Sequence, residues 1–460
     1  MRVLLVQPNY RIQRESGAWG INPPLGLAYI ASVLRENDVD VEILDANALN
    51  LTSTEVASYA EKVHASIMGI SILTPAHNFS VDVASLLPDD ILKVAGGNQA
   101  TALPNQLINE GFNVIVRGEG EYTMLELAQG KALSDVMGIS YKENDKIFHN
   151  PPRPPLDPDS LPMPARELLP SNGVDIPYLS AGTVYRPWAG ILTSRGCPYD
   201  CYYCFKKTFG YKFRPRSAEK VVSEIVHLHE KYGVKEIDIY DDCFNFDLKR
   251  AEKILDIIIE QELDIHIRCS NGLRVDKITE SFIKKMKKAG CCYIAYGIES
   301  GDQKVLDLIP KRITLQQVTS AIKLTNDARI TTAGFFIFGL IGDNKEAMER
   351  TLTLANELNL DMCSFTIATP YPGTKLWDMV KEKGNIFISD WDDFHHTSGK
   401  MIFTYPDTAG PEDVEEVYKR SYTAFYFRPK YLIRQALKIR SLEELRMAFH
   451  GLNSILKVRR

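Results

Sequence analysis

This chain runs through two series of alternating strand-length apolar and helix-length amphipathic segments, and the stretch between the series can form neither element. Residues 150–170, NPPRPPLDPDSLPMPARELLP, contain eight prolines. Proline fixes φ and removes a backbone donor, so this stretch reads as a stiff spacer. Ahead of it, VLLVQPN (3–9), VDVEILDA (39–46), SIMGISIL (66–73), ILKVAGGN (91–98) and NVIVRGEG (113–120) read as strands, with PLGLAYIASVLREN (24–37) as the first crossover helix. Nearly continuous apolar runs suit strands covered on both faces of a parallel sheet. Behind it, strands are predicted at GILTS (190–194), EIDIYD (236–241), DIHIRC (264–269), CYIAYGIE (292–299), AGFFIFG (333–339) and CSFTIA (363–368). Helices are predicted near 217–231, 249–261, 279–289, 315–328 and 346–358. The fold class is α/β. It comprises a doubly wound, Rossmann-like domain over 1–145, a proline-rich linker over 146–187, a partial (β/α)6 barrel of the TIM type over 188–385, and a mostly helical extension over 386–460. In both architectures ligands collect beyond the carboxyl ends of the strands.

A chain of 460 residues admits two or three domains, and its net charge of −5 argues against a general nucleic-acid binder. MRVLLVQPNYRIQ lacks the pattern of a signal peptide, and no apolar stretch approaches the roughly 18 residues that span a bilayer. The expected compartment is the cytosol, where thiols stay reduced. Clustered cysteines there read as metal-binding or catalytic. Three of the eight lie in ILTSRGCPYDCYYCFKK (191–207), at positions 197, 201 and 204. A zinc knuckle would need further ligands, and neither a nearby histidine nor a second cysteine pair supplies them. An iron–sulfur cube takes one ligand per iron, so three thiolates leave one iron open to a substrate or cofactor.

Cys-x3-Cys-x2-Cys directly after the first strand of a partial barrel, with Tyr203 before the last cysteine, resembles the radical S-adenosylmethionine (SAM) superfamily over about 188–385. The resemblance implies that Cys197, Cys201 and Cys204 hold a 4Fe–4S cluster whose open iron is chelated by the amino and carboxylate groups of SAM. It implies that an electron from the cluster, itself reduced by a reductase, flavodoxin or ferredoxin, cleaves SAM to methionine and a 5′-deoxyadenosyl radical. Other strand ends resemble the family's cofactor contacts. IYDDCFNFD (239–247) offers Asp241 and Asp242 towards the amino group, or as an ordinary solvated helix start. CSNGLRVD (269–276) offers Ser270 and Asn271 to the carboxylate or ribose, and YGIESG (296–301) offers Glu299 and Ser300. GFFIFGLIGD (334–343) resembles the strand that passes the adenine. Arg214 and Arg216 read equally as carboxylate binders and as surface charges. Cys243, Cys269, Cys291, Cys292 and Cys363 are scattered as small apolar residues often are, with Cys243 nearest the expected site.

NPPLGLAYIASVL (22–34), AGGNQATALP (95–104) and VRGEGE (116–121) resemble the cobalamin-binding domain that precedes many such barrels. The implied contacts are Gly96, Gly97, Gly118 and Glu119 at strand ends, with the hydroxyls of Ser71 and Thr74. Glycine there lets the backbone approach a bulky cofactor. One departure stands out: the Asp-x-His-x-x-Gly signature is absent, since Asp45 is followed by Ala46 and Asn47. Cobalt would receive no histidine from that motif, and His77 reads as a polar loop residue. No G-x-G-x-x-G follows the first strand, which weakens the nicotinamide and flavin readings.

The resemblance implies a cobalamin-dependent radical SAM methyltransferase. One SAM methylates reduced cobalamin; a second gives the radical that takes hydrogen from an unactivated carbon, and that carbon then takes the methyl. The alternatives are a radical rearrangement, cyclisation or carbon–carbon coupling, including one on a lipid, and a non-catalytic cobalamin carrier. A carrier has no need of strand-end groups for an adenosyl moiety. Methylthiolation is disfavoured because no second cysteine set occurs in the N-terminal domain. The substrate stays open between a small molecule, a peptide and a lipid. Residues 428–460 carry nine Lys or Arg and two acids, and YLIRQALKIRSLEEL reads as a basic amphipathic helix. Packing on the barrel is favoured over membrane contact.

Overall fold

The computed structural model describes residues 1–10, 20–180, 182–387 and 390–437. A seven-stranded sheet forms the N-terminal part: β1 (Arg2–Gln7), β2 (Asp40–Asp45), β3 (Ile67–Ser71), β4 (Leu92–Gly96), β5 (Val114–Val116), β6 (Ile139–Glu143) and β7 (Lys146–His149), in the order β2-β1-β3-β4-β5-β6-β7. The first five are parallel, and β6 and β7 add an antiparallel hairpin. Val3, Leu4, Leu5 and Val6 of β1 are all at most 1% exposed, because helices cover both faces of the sheet. Helix α1 (Leu25–Glu36) turns Leu27, Ala31 and Leu34 onto one face. The chain moves outward from β1 to β2 and then crosses back past β1 to β3, and this reversal opens a crevice at the carboxyl ends of β1 and β3.

The hairpin moves one expected boundary. Lys146–His149 is the last strand of the sheet, so the spacer begins after His149 and not at 146. The strand escapes sequence reading because it is a polar edge, largely exposed on both faces.

The second sheet has six parallel strands in sequential order: β8 (Trp188–Ile191), β9 (Glu236–Ile239), β10 (His266–Leu273), β11 (Cys291–Glu299), β12 (Thr331–Phe338) and β13 (Met362–Ile367). Helices α2 (Ala218–Tyr232), α3 (Leu248–Glu260), α4 (Glu280–Lys288), α5 (Leu315–Asp327) and α6 (Lys345–Glu357) return the chain between them. The strands form an incomplete barrel, and α7 (Pro411–Tyr426) covers its last edge. Tyr422 and Tyr426 there donate hydroxyl hydrogen bonds to the carbonyls of Phe365 and Cys363 at 2.9 and 2.8 Å. Side-chain hydroxyls thus occupy backbone groups that an open edge would expose. The predicted basic helix begins as α8 (Pro429–Ala436), and its continuation lies outside the described residues. No helix among the described residues is long and apolar enough to cross a membrane.

Candidate functional site

The three cysteines sit on a loop that rises from β8 over the carboxyl ends of the barrel strands. Gly196 has φ +79°, and a Cβ there would lie 2.4 Å from the carbonyl of Lys212, so the turn into Cys197 requires glycine. Tyr202 pins the loop to the barrel rim. Its hydroxyl accepts from the Ile341 amide at 3.1 Å, and its carbonyl accepts from the Leu376 amide at 2.8 Å.

The aspartates after β9 support this loop from below. Asp241 is buried and accepts from the amide and hydroxyl of Thr193 and the hydroxyl of Ser194. That corrects the expectation that it faces SAM; its carboxylate is fully engaged within the protein. Asp242 accepts only from the Gly196 amide, at 3.2 Å, and keeps exposed surface. Cys243, buried beneath, hydrogen-bonds Cys197 and so brings the Cys197 thiol down to about 6. Burial pushes Cys204 up to about 12. Among the described residues no three His, Cys, Asp or Glu side chains converge as ligands of a single ion. A cube takes one thiolate per iron, so its three cysteine ligands need not meet at one ion.

A buried cation completes the donor set. Lys206 is 8% exposed, and its Nζ makes no hydrogen bond. Its charge favours the ionised forms of Cys197, Cys201, Cys204 and Asp242. An unpaired buried ammonium beside three thiols fits an anionic cluster. Sequence reading passed over Lys206, because no spacing rule separates it from its exposed neighbour Lys207.

Several groups here lie deep in the protein and still keep accessible surface. Cys204, Asp242, Asn271 and His396 are exposed side chains, yet burial holds the Cys204 thiol at about 12 and the His396 imidazole at about 4. Tyr371, after β13, faces His396 across 3.0 Å at its Nδ1. Glu299 ends β11 at φ +70° and is 7% exposed. It pairs with buried Lys311 and accepts from Tyr203. Asn271 donates to the Asp241 carbonyl at 2.9 Å, while Ser270 is held by Asp238 through its amide at 3.1 Å and its hydroxyl. Ser300 is a correction: it is fully buried against Thr351 and accepts from the Asp302 amide, so its hydroxyl is engaged within the protein.

The N-terminal crevice opens towards the same loop. Ser71, Gly96, Gly97, Gly118 and Glu119 line a cavity that reaches between α1 and the sheet. A Cβ at Gly26 would meet nothing within 4 Å, and one at Gly96 would come no closer than 3.9 Å to any atom, so both glycines leave open space for a ligand. That cradle fits a bulky planar tail. Gly97 has φ +91° and packs its α-carbon against Ile72. Two expected contacts are corrected. Thr74 is buried and donates to Gln99 at 2.9 Å, off the cavity. Glu119 lies in the cavity wall, but its carboxylate is held by Arg195 at 2.8 Å, Arg214 at 2.9 Å and the Leu156 amide at 3.2 Å. His77 is no polar loop residue; it is 2% exposed, bonds Glu110 at 2.9 Å and Gln99 at 3.3 Å, and packs its ring at a tilt of 38° against Trp391. Arg214 and Arg216 are both buried and paired within the protein, Arg216 with Glu224 at 2.5 Å.

The cavity and the cysteine loop share a wall. Arg195, two residues before Cys197, lines the cavity, as do Thr208 and Phe209 just after Cys204. Thr208 also donates to Asn98 of the N-terminal part at 2.7 Å.

Comparison with known proteins follows the same division. Residues 191–355 match the radical SAM superfamily, and residues 18–128 match the B12 binding domain. A relative from Pyrococcus horikoshii, described as an uncharacterized methyltransferase, is 36% identical over 447 residues and spans 94% of both chains. The anaerobic magnesium-protoporphyrin IX monomethyl ester cyclase of Rubrivivax gelatinosus is 28% identical, over 94% of this chain and 78% of its own. The solved structure of the radical S-adenosylmethionine methyltransferase TsrM from Kitasatospora setae, with cobalamin and a 4Fe–4S cluster bound, is similar in fold. It has a TM-score of 0.68 and 18% identity, and the likeness covers 85% of this chain and 81% of that one.

Proposed function

Starting from a chain that belongs to the radical SAM superfamily and carries a B12 binding domain ahead of its barrel, we propose that it methylates an unactivated carbon of its substrate. The observation that carries the proposal is the shared wall, since Arg195, Thr208 and Phe209 belong to the cysteine loop and also line the B12-domain cavity. Its cofactors are a 4Fe–4S cluster, SAM and cobalamin. Bound together, they supply a hydrogen-abstracting radical and a methyl donor that releases its group by homolysis.

The chain's own residues do the rest. Cys197, Cys201 and Cys204 hold the cluster, and Cys243 favours the ionised form of Cys197 that metal binding requires. Asp241 and Tyr202 fix the loop height above the barrel. Glu299, kept in place by Lys311 and Tyr203, would accept from the SAM amino group or ribose, and Asp242 and Asn271 lie exposed at or just beyond the neighbouring barrel strands. Gly26, Gly96, Gly97 and Gly118 would let the cobalamin tail enter the crevice. A low-potential reductase, flavodoxin or ferredoxin supplies electrons, and the substrate is a small molecule, peptide or lipid.

Cyclisation is the second reading, favoured by the similarity to the Rubrivivax cyclase. The test is the ratio of coproducts under reducing, anaerobic turnover. Carbon methylation by this route yields one S-adenosylhomocysteine and one 5′-deoxyadenosine per methylated product. Formation of 5′-deoxyadenosine without S-adenosylhomocysteine would instead identify cyclisation, rearrangement or coupling.

A further inference from the structure

We infer that Lys206 sets the charge balance of the cluster site and thereby its reduction potential; the inference rests on the cluster reading above. Among the described residues Lys206 has no hydrogen-bond partner for its buried Nζ, and the Tyr211 ring centroid lies 5.8 Å away. Its position is fixed by the backbone. The Gly210 amide donates to the Lys206 carbonyl at 2.7 Å, and Thr208 ties the following turn to Asn98. Lys206 follows Cys204 by two residues, so its buried, unpartnered ammonium belongs to the same loop as the three cysteines.

A buried ammonium without a partner is unfavourable unless negative charge stands beside it. Three thiolates on a cube provide that charge. One-electron reduction by the external donor adds one more negative charge to the cube and breaks no bond. A fixed cation stabilises the reduced form more than the oxidised one, and so raises the potential. Asp242, which accepts from the Gly196 amide of the same loop, carries the opposite charge, so the potential reflects both groups. Lys207, the next residue, is exposed and screened by solvent, which makes it the natural control.

The experiment uses the full chain, reconstituted anaerobically with iron and sulfide, as wild type and as Lys206→Gln, Lys206→Arg and Lys207→Gln. Iron and sulfide content reads the cluster assignment itself. A redox titration followed by electron paramagnetic resonance, without SAM, reads the midpoint potential. Lys206→Gln should hold a full cube with its midpoint shifted to more negative values, while Lys206→Arg and Lys207→Gln stay at the wild-type midpoint. A full cube in Lys206→Gln with an unchanged midpoint overturns the inference. Should Lys206→Gln fail to retain the cube, Lys206→Arg decides: retention with the wild-type midpoint supports a charge role, and loss in both variants refutes it. A wild-type chain that takes up no cube would sink the cluster reading, separately from any role of Lys206.

Discussion

The substitution Glu119→Gln tests whether the buried charges between barrel and B12 domain hold the two together. Glu119 and Glu121, at the end of β5, face Arg195 and Arg214 from the barrel. The side chains of Arg195, Arg214 and Glu119 are 3%, 9% and 7% exposed, and Arg195 reaches Glu121 at 2.7 Å. The set balances two guanidinium groups against two carboxylates. Glutamine keeps the shape, removes one charge and turns an amide donor towards guanidinium donors. Removing one partner from a buried ion pair costs about 3–5 kcal/mol. At about 1.4 kcal/mol per tenfold, the lower bound weakens docking of the two parts by about 100-fold. Urea unfolding should show a lower midpoint, and trypsin should cut within the 150–170 spacer at urea concentrations where the wild type stays intact. The double variant Glu119→Gln/Arg195→Met should lose less than the sum of the two single changes, since the second removes the cation that the first leaves uncompensated. An unfolding curve and digestion pattern identical to wild type in Glu119→Gln would refute the reasoning.

Gly26→Leu should separate stability from cofactor binding. It improves helix propensity in α1 by about 1 kcal/mol and places a side chain in the open crevice, so thermal stability should rise while corrinoid uptake, read by visible absorption, is lost. Burial raises the Asp343 carboxyl to about 7 against 3.8 unfolded. The folded state therefore holds the proton more tightly, and the resulting stability is present at acid pH and lost as pH rises through about 7. Asp343→Asn should flatten that part of the urea-stability profile between about pH 4 and 7, and an unchanged slope would contradict the assignment. Glu299→Gln leaves Lys311 opposite a neutral amide and removes a charged acceptor worth about 1.5–3 kcal/mol. SAM affinity by isothermal titration should fall about tenfold or more, and an unchanged affinity would remove Glu299 from the site.

Sequence pattern reached the barrel strands closely, because each carries buried apolar residues and recurs between helix-length amphipathic segments, even where charged residues interrupt the run as in Glu236–Ile239. It did not reach Lys146–His149, an exposed edge with no such run. Among site residues the limit was direction. Asp241 and Asp242 look alike in sequence, and only the pairing of β8 with β9 decides that Asp241 turns inward to Thr193 and Ser194. Glu299 and Ser300 are likewise adjacent, but the register shift between Gly297 and Glu299 and the left-handed turn at Glu299 send them to opposite sides. Glu119 met its partners Arg195 and Arg214 only through folding, across 76 and 95 residues of chain. Lys311 and Lys206 carry no motif, and burial alone distinguishes them from surface lysines.

Methyl transfer can be tested without knowing the substrate. Anaerobic protein loaded with cluster and corrinoid, reduced by a low-potential donor and given methyl-labelled SAM, should place label in the bound corrinoid fraction with release of S-adenosylhomocysteine. The same preparation carrying Gly26→Leu should do neither while still forming 5′-deoxyadenosine. Wild-type protein that cleaves SAM to 5′-deoxyadenosine yet leaves its corrinoid unlabelled, with no S-adenosylhomocysteine, would contradict the proposal.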